Sequence, residues 1–557
     1  MNQKKLRSDM EFGVSWAERH ALLKGLGKTE EELRQPQIAI IDAWSNINSG
    51  HIHLRELAKK VEQGVIAAGG TPYHLSTVGL CDGIALAGAE YILPSRDLIC
   101  NEVEVQIEAY KMDAMVLLAT CDKIVPAYVM AAARLNIPAV IVTGGYMEAG
   151  HYQDREISFV DVGKAVGKVN SGEIDMDECM RIIDCACPSP GACPMMGTAN
   201  TMCIVAESLG LTMPGNSTTS ARSKHLHELA FQAGAAVVSL WERGITARDI
   251  LTQEAVENAI MVCMAVGGST NSLMHLPAIA TEAELGAFDC IGYFDKASRK
   301  IPLLMKISPN GPDVMADFCR AGGLAALMKQ LDGKIHRRAQ TVSGKTVGEL
   351  MDDASVLDNS IIRSLDNPIR ENGALAVLRG NLAPDGAVVK QSAVPASMMS
   401  FRGPAKVYTS CQQAIDALRE GKISAGDVAV IRMQGAKGGP GVITTFPFTS
   451  ELAGSTLANK VALITDGRFS GATEGACIGY VSPEAALQGP LLIVQDGDIV
   501  YYDIERRIIG IELDEQVLHH RLESAVLDIR YRKGWLGIYQ RTVGSLLKGG
   551  VMSGQSE

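Results

Sequence analysis

The chain has 557 residues, too many for one ordinary hydrophobic core, so roughly two to four domains of about 100–250 residues each are expected. Apolar residues make up 47% and charged residues 21%, the balance of a packed globular protein and not of a disordered one. The net charge of −11, from 52 basic and 63 acidic residues, repels a phosphate backbone and excludes nucleic acid as the expected partner; a small anionic ligand would need a local positive centre such as a metal ion.

The N-terminal stretch MNQKKLRSDMEFG carries basic residues with no apolar run behind them, so no secretory signal is read there. No segment approaches about 18 uninterrupted apolar residues, so no membrane span is expected and a cytoplasmic location follows. The 13 cysteines are odd in number and lack a secretory context, which argues against a disulfide framework. Most of them read as small buried hydrophobes.

In chain order, QIAIIDAW (37–44) predicts a buried strand, and HLRELAKKVEQGVIAAGG an amphipathic helix that ends on glycine. AMVLLAT (114–120) predicts a second strand ending at Cys121; PAYVMAAARLNI then reads as a helix and PAVIVTGG as a strand. Strand, loop, helix, strand is the pattern of a parallel α/β sheet, whose ligands bind at the carboxyl ends of the strands. Residues 200–345 read as mostly helical. Near residue 360 the character changes: ALAVLRGNL, GAVVKQSAV, DVAVIRM, VALITDG, LLIVQDGDIVYYDI and RIIGIEL are short apolar runs broken by Gly, Asp and Pro. The prediction is an α/β domain over 1–360 and a β-rich, barrel-like domain over 361–557.

Four groups of residues suggest chemistry. Cys121-Asp122-Lys123 puts a soft thiolate and a hard carboxylate at one strand end, which suits two unlike metal centres side by side; taken alone, it also fits a buried cysteine beside a surface ion pair. Cys185, Cys187 and Cys193 lie in a loop of prolines and glycines with C-x-C-x₅-C spacing. This is no zinc pattern, and metal binding is favoured over a disulfide, but spacing alone does not say which cysteine is a ligand. Asp82 in CDGIALAG follows a strand-like run and opens a glycine-rich turn, and it reads equally as a helix cap. KGGPG (437–441) and TDGRFSGATEG (465–475) are glycine-dense loops able to present backbone N–H groups to an anion, with Arg468 placed to hold a carboxylate; each is also readable as a plain structural turn.

Together these residues resemble the dihydroxy-acid dehydratase and 6-phosphogluconate dehydratase family. The resemblance rests on GHIHL (50–54), CDGIALA (81–87), LPSRDLI (93–99), CDKIVP (121–126), GACPMMGTANTM (191–202), GGSTNSLMHLPAIA (267–280), GNLAPDGAVVKQSAV (380–394), GPAKVY (403–408), KGGPG and ITDGRFSGATEG (464–475), in the family's order and over almost the whole chain. CDGIA and LPSRDLI place it nearer the dihydroxy-acid branch. The resemblance implies a hydro-lyase of branched-chain amino-acid biosynthesis that converts a 2,3-dihydroxy acid to a 2-oxo acid. It implies Cys121 and Cys193 as ligands of an iron–sulfur cluster, Asp82, Asp122 and a carbamylated Lys123 as Mg²⁺ ligands, and Ser470 as the catalytic base. It further implies a C-terminal domain like the swivelling domain of aconitase, a site between the domains, and a homodimer or homotetramer. Two other readings stand beside it: a sugar-acid dehydratase of the same family, and a non-catalytic iron–sulfur sensor on the same scaffold.

The chain departs from the family pattern in three places. Gly50 stands where many relatives have a third cluster cysteine, leaving either a [4Fe-4S] cluster or a [2Fe-2S] cluster with another ligand. Thr444 stands where the pattern has a Mg²⁺-binding glutamate, and a neutral hydroxyl replaces a carboxylate poorly. Glu474, and less directly Glu451, are the substitutes the sequence offers. The stretch PMMGTAN after Cys193 is closer to the sugar-acid members.

Overall fold

Strands buried on both faces have no polar side to alternate with, so they read as unbroken apolar runs. In the computed structural model, which describes residues 5–439, 441–470, 473, 475–527, 529 and 531–552, four strands form the N-terminal sheet. They are β1 (Gln37–Asp42), β2 (Thr71–Ser76), β3 (Ala114–Ala119) and β4 (Ala139–Thr143), all parallel, in the order β2-β1-β3-β4. Every residue of β1, β3 and β4 is buried, whereas β2 is an edge strand with alternate residues open to solvent. The helices Leu54–Ala67 and Lys224–Arg243 pack on the sheet and on each other. Helix Ile124–Leu135 packs between β3 and the helix Ile92–Tyr110, and it stops at Asn136, whose left-handed backbone an asparagine tolerates. From β1 the chain first adds β2 on one side and then β3 on the other. That reversal opens a crevice at the carboxyl ends of β1 and β3.

A short hairpin of β5 (Gly150–Tyr152) and β6 (Arg155–Ile157) precedes a helical layer, as expected. Within that layer Thr198–Ser208, Gln253–Val266 and Ser272–Glu282 are almost wholly buried. Among the described residues no helix is long and apolar enough to cross a membrane.

The C-terminal half is a closed eight-stranded barrel. Its strands are β7 (Ala376–Gly380), β8 (Ala383–Val389), β9 (Ser400–Tyr408), β10 (Val428–Ile431), β11 (Ala462–Thr465), β12 (Cys477–Ser482), β13 (Ile499–Asp503) and β14 (Ile508–Ile511). They close in the order β10-β11-β12-β8-β7-β14-β13-β9. Val428, Val430, Ala462 and Ile464 fill the barrel, while Ala429, Ile431 and Leu463 pack outward under the helices Cys411–Arg419 and Phe446–Ala453. Both alternating faces are thus apolar. The run LLIV (491–494), expected as part of a strand, is instead a single 3₁₀ turn over Pro490–Ile493, because Pro490 has no N–H for a ladder. After the barrel the chain returns to the first half. Tyr539, Val543 and Leu546 join the N-terminal core, and Arg96 donates to the carbonyl of Gly550 at 2.9 Å.

Candidate active site

The loops after β1, β2, β3 and β4 meet at one edge of the sheet, and each brings different chemistry. The loop after β3 holds Cys121, Asp122 and Lys123, and the loop after β2 holds Cys81 and Asp82. The segment with Cys193 is laced to two of the other loops. Gly191 N–H donates to Ser49 C=O at 3.1 Å, Ala192 N–H to Gly145 C=O at 2.9 Å, and Met147 N–H to Ala192 C=O at 2.6 Å. Gly191 has φ +118°, and a β-carbon there would stand 2.6 Å from Met147 N, so only glycine allows this close crossing. The Asn200 side-chain amide then holds the carbonyls of Cys193 and Met195 at 2.6 and 2.8 Å.

His51 fixes the Cys121 loop. Its Nδ1 donates to Ala43 C=O at 2.7 Å, and its Nε2 accepts the N–H groups of Thr120 and Cys121, both at 3.2 Å. That pattern requires a neutral ring, and burial pushes its pKa down to about 4. The Cys121 thiol has one proton and two takers, Asn48 Oδ1 at 3.2 Å and the Cys81 sulfur. The Cys121 hydrogen bond lowers the Cys81 thiol, and the same bond, with burial, raises Cys121. Burial also raises Cys193, followed by the nearby sulfurs of Cys187 and Cys81 and by Asp122.

Beside the thiols lies a charged group. Lys123, 1% exposed, has its Nζ 3.1 Å from Asp82 Oδ2 and 3.7 Å from Asp122 Oδ2. Burial lowers the lysine and raises Asp122 to about 6, the latter helped by the like charge of Asp82. Asp82 is not a helix cap: Ala85 holds that position for the next turn. Its Oδ1 is buried and has no hydrogen-bond partner among the described residues, so it is open to a cation. Among the described residues no three His, Cys, Asp or Glu side chains close on a single ion. On the carboxylate side the reason is chemical, because the third group is an amine.

The barrel closes the site from the other side. Arg468, on the glycine loop after β11, donates from Nε to Val442 C=O at 3.0 Å and places Nη2 3.3 Å from Asp82 Oδ2. Nη2 thus faces one of the protein's own carboxylates as an ion contact, with no hydrogen-bond partner among the described residues. Ser470 follows two residues later on the same loop, partly exposed. The two glycine loops run side by side, with Thr445 N–H donating to Arg468 C=O at 2.8 Å. Thr444 is buried, and its hydroxyl accepts the Phe446 N–H at 3.2 Å, at the start of the helix Phe446–Ala453. Glu451 is bound to Arg419 at 2.5 and 2.9 Å on that helix's outer side, which removes it as a substitute ligand. Glu474 lies outside the described residues.

The structure thus brings Asp82, Asp122, Lys123, Cys121 and Cys193 to one sheet edge and lays the loop of Ser470 over it. Sequence reasoning missed Cys81, although its neighbour Asp82 was singled out. It also missed His51, which sits inside the quoted GHIHL, and His275 inside GGSTNSLMHLPAIA. His275 is wholly buried, burial keeps it neutral, its Nδ1 faces Arg96 Nη1 at 3.4 Å, and its Nε2 lacks a partner among the described residues.

Comparison with known proteins agrees with this architecture. Residues 35–350 match the family model described as dihydroxy-acid/6-phosphogluconate dehydratase N-terminal, and residues 360–550 match its C-terminal counterpart. Similar proteins include the dihydroxy-acid dehydratase of Caldicellulosiruptor saccharolyticus, 46% identical over 553 residues, and that of Methanothermobacter thermautotrophicus, 44% identical over 550 residues. The dihydroxy-acid dehydratase of Pyrococcus furiosus is 44% identical over 552 residues; each alignment covers 98% of this chain and 100% of the relative. With both halves of the chain matched and the relatives aligned end to end, the chain belongs to the dihydroxy-acid/6-phosphogluconate dehydratase family.

Proposed function

We propose that this protein is a cytoplasmic hydro-lyase that converts a branched 2,3-dihydroxy carboxylic acid to its 2-oxo acid in branched-chain amino-acid biosynthesis, as a homodimer or homotetramer. The observation that carries this reading is the meeting, at one sheet edge under the barrel loop of Ser470, of a thiol group and a group of two carboxylates with a buried lysine. Full-length identity to proteins named dihydroxy-acid dehydratase supports the same substrate class.

The donors fit two unlike metal centres. Cys121 and Cys193 would hold an iron–sulfur cluster, [2Fe-2S] or [4Fe-4S], and Asp82, Asp122 and Lys123 would hold Mg²⁺. Lys123 suits carbamylation, because burial favours the neutral amine that attacks CO₂. The nitrogen forms a bond to carbon, a proton leaves, and a third carboxylate results. Three buried carboxylates repel one another unless a divalent cation lies among them. When bound, the two metal centres supply Lewis acids, iron for the departing 3-hydroxyl and Mg²⁺ for the substrate carboxylate and 2-hydroxyl.

The chain's own residues do the rest. Ser470, as the alkoxide left once its own proton has passed to solvent, takes the proton from C2 at Oγ, and Arg468 brings a buried positive charge to the same loop. As the C2–H bond breaks, its electrons form the C2–C3 double bond, and hydroxide leaves C3 and is protonated to water. The enol then takes up a proton at C3 to give the 2-oxo acid. His51 and Asn200 hold the cysteine loops in place throughout.

The test is anaerobic reconstitution, followed by a 2-oxo acid assay across branched dihydroxy acids and sugar acids. Turnover of the branched acids is expected. Turnover of sugar acids alone would move the protein to the other branch of its family. A loaded protein that dehydrates nothing in the panel would overturn the enzyme reading in favour of an iron–sulfur sensor.

A further inference from the structure

Position 50 follows β1, the strand that lies between β2 and β3, and it has no side chain to offer a metal. The space such a side chain would need is already filled. A β-carbon built on Gly50 would lie 2.7 Å from Cys121 Sγ and 3.3 Å from Asn48 Oδ1. Asn48 Oδ1 in turn accepts the Gly50 N–H at 2.9 Å and the Cys121 thiol at 3.2 Å, so this corner is knit shut.

The loop after β2 places another sulfur against Cys121. Cys81 hydrogen-bonds with Cys121 and lies within electrostatic reach of Cys193 and Cys187. Cys187, another free thiol nearby, is exposed and acts on Cys193. Cys203 points away, with its thiol directed at Thr120 C=O at 3.7 Å. The sheet adds a symmetry. β2 and β3 flank β1, and each is followed by a Cys-Asp pair, Cys81-Asp82 and Cys121-Asp122. In both pairs the aspartate reaches Lys123 while the two sulfurs face each other.

Resting on the cluster reading above, we propose that Cys81 is the third protein ligand of the iron–sulfur cluster, in place of a side chain at position 50. Each of the two strand ends then gives a soft thiolate to iron and a hard carboxylate to Mg²⁺ from adjacent residues. On ligation each of the three thiols gives up its proton to solvent, with iron and sulfide supplied from outside.

The experiment uses the full-length protein, apo and anaerobically reconstituted with iron and sulfide. Iodoacetamide labelling read by mass spectrometry gives the protection of each cysteine. The expected result is that cluster loading slows alkylation of Cys81, Cys121 and Cys193 by at least about tenfold and leaves Cys187 reactive. Cys81→Ala, checked for native circular dichroism as apoprotein, should lose its iron and sulfide on desalting, and Cys187→Ala should keep both. Cys81→Ser should lose the cluster or show an altered electron paramagnetic resonance spectrum on reduction. If wild type loads, but Cys81 alkylates as fast as in the apoprotein or both Cys81 variants keep the wild-type spectrum, the third-ligand assignment alone is overturned. If wild type takes up no iron or sulfide, the cluster reading falls and the assignment with it.

Discussion

The two sides of the site are fastened by opposite means. On the sheet side the ligand loops are held by neutral groups: the imidazole of His51, the amides of Asn48 and Asn200, and backbone links between the Cys193 segment and its neighbours. On the barrel side the glycine loops are held by buried carboxylates. Asp466 accepts N–H groups from Met433, Gln434 and Ala485 at 2.8–3.1 Å, and Glu484 accepts those of Lys437 and Gly438 at 2.9–3.3 Å. Beside thiolates and aspartates a further fixed negative charge would repel the charge a metal ligand must carry, so neutral acceptors suit the sheet edge. The glycine loops have few side chains of their own, and a carboxylate gathers several of their amides at once.

The largest effects should separate these two sides. Cys121→Ser and Cys193→Ser break the sheet side: the anaerobic protein is expected to lose its brown colour, its iron and sulfide, and all measurable dehydration. Cys290→Ser and Cys411→Ser, away from this edge, are expected to keep all three. Colourless, iron-free protein that still turned over would refute the cluster reading. Ser470→Ala breaks only the barrel side. It should stay brown and fold normally while kcat falls by about 10²–10⁴, the usual worth of a general base. A variant with unchanged kcat would remove Ser470 from the chemistry.

A smaller effect tests the fastening itself through pH. His51 has a folded-state pKa near 4, below the ordinary value of 6.5, so its contribution to stability is complete above pH 6.5 and is lost as pH falls toward 4. Glu484 has the reverse sign. Burial raises it from 4.5 to about 7, so its contribution is complete below pH 4.5 and is lost as pH rises through 7. Each is worth at most roughly 3 kcal/mol across its window. Chemical denaturation of wild type, His51→Gln and Glu484→Gln between pH 4 and 7.5 should show it. Relative to wild type, the histidine variant should lose less stability on acidification, and the glutamate variant should lose less on the way up. Parallel curves for all three proteins would refute the contrast.

The parts legible in the sequence were those where one physical demand dominates. β1, β3 and β4 are buried on both faces, and their apolar runs announced them. β2 was legible only as a strand-like run before Asp82, without bounds or a place in the sheet, because TPYHLS is a half-exposed edge with a proline. β9 was missed through its Gly403-Pro404, and β12 because CIGYVS directly follows a glycine loop. In the site, Cys121, Asp122 and Lys123 could be found because a predicted strand ends there. Cys81 could not be assigned, because its meaning depends on facing Cys121 across 40 residues of chain. His51 was hidden for a similar reason: its partners are backbone groups of two other segments, and no side-chain pattern marks those.

The smallest expected effect concerns Thr444, where the two fastening styles meet. Its hydroxyl accepts the buried Phe446 N–H at 3.2 Å, which makes it a local turn former on the barrel side. Thr444→Val keeps the shape and removes that acceptor, so stability should fall by about 1 kcal/mol, as when a buried N–H loses its partner. The Mg²⁺ concentration needed for half-maximal activity should not change, because the hydroxyl is already engaged and the proposed ligands lie on the sheet side. Thr444→Glu asks the opposite question. A carboxylate added to the loop that lies against Arg468 should tighten the divalent cation if the site is one ligand short. It should leave the requirement unchanged, and lower stability, if Lys123 already supplies the missing carboxylate. Titrating Mg²⁺ against activity in both variants, with and without added bicarbonate, separates the cases: a requirement that drops in Thr444→Glu at every bicarbonate level would place the missing ligand on the barrel and not on the lysine.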